Sequence, residues 1–278
     1  MSIYKNKFIL VYNVFHHLTD LRVLTLLEKK TTLSYRCIRN CIGAFYPKYQ
    51  VFGEENLPDG PCIVAGNHSQ INGPVACELY FPGDHATWTI GEMFHKETIP
   101  EYAFQDFWSL RPKSVHWFYR ILSHLIVPLS VCIFNNANTI PVYKDKKLNE
   151  TIRMSQDCLI ARRRVIIFPE EYAEHNNIVH NFRSGFVSVA KRHYEETGEI
   201  VSFVPLYVCP QLRRLNIGKP VLFDPEKHIK DEKKRICNYL MDEISEMAYA
   251  LPRHKVVPYP NVPSKDFPEN VRMESAVS

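Results

Sequence analysis

The sequence predicts an α/β domain with a mostly buried central sheet flanked by helices, preceded by an N-terminal helical segment. Three observations predict it. Short runs rich in β-branched residues, such as Cys62-Ile63-Val64-Ala65-Gly66 and Arg164-Val165-Ile166-Ile167-Phe168, alternate with longer amphipathic stretches. A hydrophobic fraction of 45%, with 12% aromatic residues, supplies an ample core and excludes wholesale disorder. A length of 278 residues suits one large domain, or one domain with terminal additions.

Residues 1–50 read as the helical segment, with Val14, Leu18, Leu21, Leu24 and Leu27 at helical spacing. The turn-rich stretch from Glu54 to Pro61 marks entry into the main domain, 51–225. There the expected order is strand Cys62 to Gly66, helix Pro74 to Tyr80 and strand Ala86 to Ile90. A helical region from Pro112 to Phe134 precedes a short strand, Thr139 to Tyr143. Next come a helix around Asn149 to Arg162, the strand from Arg164 to Phe168, and a helix from Ser184 to Thr197 stopped by Gly198. After the β-rich run Val201 to Val208, Asp224 to Ala250 reads as an amphipathic closing helix, assigned to 226–251. The Pro-rich stretch 252–278 is expected to be an irregular tail.

The formal net charge of +4 suits a surface that meets anionic lipid or phosphate and falls short of a dedicated nucleic-acid binder. The eight cysteines are scattered, several inside apolar runs, so reduced buried thiols and a reducing compartment are expected rather than disulfides or a metal site. Near the start, Asn13, His16 and His17 cut short the apolar run after Lys7, so no secretory signal is expected. The stretch Trp117 to Phe134 holds Arg120, His124 and Pro128, and its apolar core is too short to span a bilayer. There Arg120, Ser123 and His124 oppose Phe118, Ile121, Leu122 and Leu125, which fits a helix in a membrane interface and equally a helix packed on its own protein.

Four segments carry chemistry. Asn67-His68 follows a buried strand, where open α/β sheets build their sites, and histidine takes and returns protons near neutrality. The apolar run Thr139-Ile140-Pro141-Val142-Tyr143 ends in Lys144. The strand ending in Phe168-Pro169-Glu170-Glu171 is followed by Phe182-Arg183-Ser184-Gly185 at a helix start, where an anion contact is favoured. The fourth is Ser202 to Val208, with Gly218-Lys219-Pro220-Val221 beyond it. Taken singly, His68 reads as a hydrogen-bonded turn residue, the lysines from Lys144 as a solvated turn, and Glu170-Glu171 as a surface pair.

With these four blocks in order from about Phe52 to Asp224, the chain resembles the glycerolipid acyltransferases, the superfamily that includes the 1-acylglycerol-3-phosphate (lysophosphatidate) acyltransferases. The resemblance implies a single acyltransferase domain that moves a fatty acyl group from acyl-CoA or acyl carrier protein to a glycerolipid hydroxyl. It implies His68 as the general base, with Asn67, Lys144, Glu170 and Arg183 shaping the acceptor site. No bound cofactor and no metal are implied. The expected partners are a lipid acceptor, an acyl donor and a membrane surface, with no nucleic acid, and the expected location is peripheral on the cytoplasmic face of a membrane.

The chain departs from the family pattern at named positions. Gly73 stands where the family has an aspartate that orients the histidine, Lys144 where it has an arginine, Glu171 where it has a glycine, and Ala173 where it has a nearby arginine. Asn72 or Glu171 is a candidate substitute orienter. Gly73→Asp is expected to raise activity if it restores the pair without straining the backbone. The alternative reading is an acyltransferase-fold protein, weakened or inactive, that binds lipid or acyl carrier. The sequence contains no Gly-x-Ser-x-Gly elbow, and it shows no serine or cysteine nucleophile placed beside a base.

Overall fold

The structure, a computed structural model, describes residues 32–109, 111–143 and 148–272. The apolar stripe from Val14 to Leu27, Lys144 and the last six residues of the tail lie outside the described residues. The remaining chain is a mixed α/β fold, as expected, built on an eight-stranded sheet.

The sheet has β1 (Gln50–Phe52) as its first strand. Its centre is made of β2 (Cys62–Gly66), β3 (His85–Ile90), β4 (Thr139–Val142), β5 (Arg164–Ile167) and β8 (Ser202–Cys209), all parallel in the order β8-β2-β5-β3-β4. β9 (Arg214–Ile217) and the short β10 (Val221–Leu222) add antiparallel to β8, and β1 runs parallel to β9 at the edge. Every residue of β2 and of β8 is buried, as expected of central strands covered on both faces.

Alternation along the strands sorts the core into two layers. Ile63, Ala65, Val165, Ile167, Phe203 and Tyr207 face one side. They are covered by α6 (Leu148–Ile160), α7 (Val187–Thr197) and α8 (Ile229–Tyr249) through Leu159, Val187, Ala190, Ile236, Leu240 and Ile244. Cys62, Val64, Ile166, Val204 and Val208 face the other side, against Ala76 and Cys77 of α2 (Asn72–Tyr80). Ahead of these lies α1 (Leu33–Phe45), capped by the Thr32 hydroxyl.

Several elements differ from expectation for local reasons. The Glu170-Glu171 strand end is the start of a hairpin, β6 (Glu170–Glu174) with β7 (His180–Phe182), standing off the main sheet. The closing helix starts at Ile229 rather than Asp224, because His228 is its N-cap, with Nδ1 accepting from Lys230 N at 3.3 Å. Between β3 and β4 lie α3 (Ile99–Ala103), a π-helical turn (Phe104–Trp108), α4 (His116–Leu125) and α5 (Val127–Asn136). The helical region expected over Pro112 to Phe134 is thus two helices, bent by 44°, with Pro128 in the first turn of the second.

No single described helix is long and apolar enough to cross a membrane. α4 turns its apolar side outward instead: Ser123 is buried, while Trp117, Phe118, Ile121 and Leu125 are exposed. Among the described residues, nothing covers that side of the helix. The thiols also divide, with Cys62, Cys77, Cys158, Cys209 and Cys237 buried as expected but Cys37 and Cys41 exposed on α1. The tail holds little regular structure, yet its described part lies across the molecule and reaches the carboxyl end of β2.

Candidate functional site

β2 stops at Gly66, and the next residue is fully enclosed. The Asn67 amide takes the place of one more strand residue: its Oδ1 accepts from Val208 N at 2.7 Å and its Nδ2 donates to Val208 O at 3.1 Å. Nδ2 also donates to Ser69 Oγ at 2.8 Å. Asn67, expected to shape the acceptor site, fastens the turn to β8.

Ser69 and Gln70 then adopt left-handed backbone conformations, with φ of 47° and 55°. Such angles are unfavourable for non-glycine residues and collect at functional sites. Here they turn the Gln70 carbonyl back onto the His68 ring, where it accepts a hydrogen bond from Nδ1. A carbonyl only accepts, so Nδ1 carries the proton and Nε2 keeps its lone pair. Nε2 has no hydrogen-bond partner among the described residues. Burial holds the imidazole below its ordinary pKa of 6.5, opposed by the bond to Gln70, so the ring is neutral at pH 7.

Glu170 grips the same turn from below. Its Oε2 accepts from His68 N at 2.5 Å and its Oε1 from His180 N at 2.9 Å. The carboxyl is buried, which pushes its pKa up to about 7 against the opposing effect of those two N–H groups. Its geometry is that of a support for the histidine loop, tying β2 to the β6–β7 hairpin. Arg183 lies at the start of the turn that leads into α7, exposed and 3.7 Å from Glu171. Lys144 lies outside the described residues.

Neither substitute orienter reaches the ring. Asn72 donates from Nδ2 to Ser69 O at 3.0 Å, and its Oδ1 accepts from Tyr46 OH at 3.2 Å. Glu171 faces Arg183. At Gly73, a Cβ would stand 2.6 Å from the His68 carbonyl oxygen and 2.8 Å from Phe168 Cε1. Gly73 N also donates to that carbonyl at 3.0 Å. The first turn of α2 presses against the histidine loop here, so the condition attached to the expected gain from Gly73→Asp, an aspartate that fits without strain, is not met.

The aromatic surroundings of His68 were not foreseen. The His68 ring makes T-shaped contacts with Phe168, at 5.4 Å between centroids, and with Tyr259, at 5.7 Å. Tyr259 also packs on Tyr172 at 5.3 Å and on His180 at 6.0 Å. Phe168 sits two residues before Glu170, where its neighbourhood gave a signal. Tyr259 comes from the Pro-rich tail, and no spacing in the sequence connects it with His68.

Among the described residues, no group of three or more His, Cys, Asp or Glu is placed to hold a metal ion. The arrangement offers one neutral base of fixed tautomer with an open nitrogen, walled by aromatic rings. Comparison with known proteins gives no matching family model and no matching curated protein. Among solved structures, the chain is similar to the crystal structure of the 1-acyl-sn-glycerophosphate (LPA) acyltransferase PlsC from Thermotoga maritima. The two are 17% identical with a TM-score of 0.40, over 73% of this chain and 75% of that one.

Proposed function

We propose that this protein is an acyltransferase that moves a fatty acyl group from acyl-CoA or acyl carrier protein to the hydroxyl of a glycerolipid, lysophosphatidate-like in shape. The observation that carries this reading is the His68 ring, pinned at Nδ1 by the Gln70 carbonyl with Nε2 open. Nε2 takes the proton of the acceptor hydroxyl as its oxygen attacks the thioester carbonyl. The tetrahedral intermediate collapses, the C–S bond breaks, and the imidazolium returns the proton to the departing thiolate. A backbone carbonyl fixes the tautomer as an aspartate would, but supplies no full charge to the imidazolium, so turnover is expected to be slow.

Lys144 and Arg183 are the cations proposed to meet the acceptor phosphate, Lys144 as a point charge. The apolar platform made by Trp117, Phe118, Ile121 and Leu125 suits a lipid interface, and Leu129 joins it to a groove of about 580 Å³ along Ile38, Ile42 and Phe45 of α1. A peripheral position on the cytoplasmic face of a membrane is part of this proposal.

A second reading, a lipid- or acyl-carrier-binding protein without turnover, is favoured by one feature: the only partner of Nδ1 among the described residues is uncharged. One experiment separates the two. Purified protein is incubated with mixed acyl-CoA donors and a panel of lysophospholipid and alcohol acceptors, with His68→Ala as control, and products are read by mass spectrometry. Acylated product that disappears with His68→Ala supports the enzyme. Binding of acyl-CoA or lipid without product supports the second reading.

A further inference from the structure

The tail forms a loop closed firmly at its base. Asn270 accepts from His254 N at 2.7 Å and donates to Ala248 O at 2.8 Å and Leu251 O at 3.1 Å, where α8 ends. The buried His254 ring meets Tyr207 OH on β8 at 2.7 Å. Lys255 and Glu269 pair across the loop, Val256 N donates to Pro268 O at 2.8 Å, and the Val256 side chain is in the core. Beyond this base the attachment is light: residues 261–266 are all exposed. The tip touches the rest of the protein through Gln70 Nε2 donating to Pro260 O at 3.2 Å, Asn261 Nδ2 donating to Asp106 O at 3.1 Å, and the ring of Tyr259 on Tyr172 and His180. It places Tyr259 against His68.

We propose that Tyr259 is a positioning residue: carried to the site by this strap, its ring closes the open edge of the His68 imidazole, fixes the ring's rotamer and keeps water from it. The geometry argues this in three steps. Phe168 packs on the imidazole from the end of β5, and among the described residues the second aromatic ring against it is brought by the strap. The strap's own bond to Gln70 steadies the residue whose carbonyl orients Nδ1. The firm base lets the tip rest there without a large interface, while its light attachment lets it lift for an acceptor.

The polar groups facing this cluster are few. The hairpin contributes Glu170, Tyr172 and His180, the helix entry Arg183, the π-helical turn Asp106, and α3 Tyr102. Burial, the main cause of the lowered His68 pKa, is the effect that removing the Tyr259 ring would relieve. Only the kinetic arm of the test rests on the acyl-transfer reading.

The test is nitrogen-detected NMR titration of the full chain, with His68 assigned through His68→Gln, for wild type, Tyr259→Phe and Tyr259→Ala. Wild type and Tyr259→Phe are expected to titrate together, below 6.5, with Nδ1 protonated in the neutral form. Tyr259→Ala should titrate higher, by about half a unit or more, and show mixed tautomers. Asn270→Ala, which loosens the base, should shift His68 in the same direction. In the transfer assay, Tyr259→Ala should lower kcat by about tenfold or more with a smaller change in KM, and move the acid limb of the pH profile by the NMR shift. A folded Tyr259→Ala protein whose His68 titration and tautomer match wild type overturns the proposal. The NMR shift without acyl transfer in any variant leaves the strap standing and removes the enzymatic reading instead.

Discussion

Substitution at Gly73 is the sharpest test of how the site is built. A Cβ there approaches the His68 carbonyl oxygen to 2.6 Å and Phe168 Cε1 to 2.8 Å. Both fall short of a comfortable separation of roughly 3.5 Å by about 0.7–0.9 Å. Neither neighbour is the free end of a flexible side chain. The carbonyl belongs to the turn that already holds Ser69 and Gln70 in left-handed conformations, and the Phe168 ring is wedged against His68. Overpacking of this kind costs about 1–3 kcal/mol. Replacing glycine in a helix gains at most about 1 kcal/mol in propensity, and less in the first turn, so destabilisation wins. Gly73→Ala and Gly73→Asp should each lose about 1–2 kcal/mol, lowering Tm by roughly 2–8 °C. Because relief must come from the His68 turn itself, acyl transfer should fall by roughly ten- to a hundredfold in both variants. Thermal unfolding by circular dichroism and product formation by mass spectrometry provide the readouts. A Gly73→Asp protein with wild-type Tm and higher turnover would refute this reasoning, because the turn would then yield and the aspartate would reach Nδ1.

Three more outcomes are expected. Glu170, raised to about 7 from an ordinary 4.5, holds its proton in the native state between those values while the unfolded chain has lost it. Its contribution to stability is therefore full below pH 4.5 and lost as pH rises to 7, by up to about 3 kcal/mol. Glu170→Gln, whose NH₂ must face one of two N–H donors, should be less stable than wild type at pH 5, with the gap narrowing by pH 8 in urea unfolding. His193 is wholly buried with neither ring nitrogen hydrogen-bonded, and burial lowers its pKa despite Glu199 at 3.7 Å. The unfolded chain gains that proton first, so stability falls as pH drops below about 6.5, and His193→Phe should flatten this loss in denaturation between pH 7 and pH 5. On the apolar platform, Trp117→Asp with Ile121→Asp should leave Tm within about 1–2 °C, since both side chains are exposed, yet abolish flotation with anionic vesicles; undiminished flotation would remove the platform from membrane binding.

The sequence by itself determined the strands at the centre of the sheet and the position of the histidine. β2, β5 after Arg164 and β8 after Ser202 are continuous apolar runs because helices cover both faces, and that burial is written into the run. His68 was legible for the same reason: it directly follows such a strand, where the sheet opens. The closing helix showed through its stripe of Ile236, Leu240 and Ile244, although its start moved to the His228 cap. What only the tertiary structure decided is who touches the imidazole. Sequence comparison by position made Gly73 a missing carboxylate, whereas the space beside it is filled by a backbone carbonyl and a phenyl ring. That Asn67 and Glu170 fasten the histidine turn was not legible either, because their partners, Val208 N and O and His180 N, lie on other elements. Tyr259, from a tail with no periodic pattern, reaches His68 only because Asn270 and His254 pin the loop's base to α8 and β8. Local pattern records whether a residue is buried; the identity of its neighbour depends on where distant segments are brought together, and no short-range period encodes that.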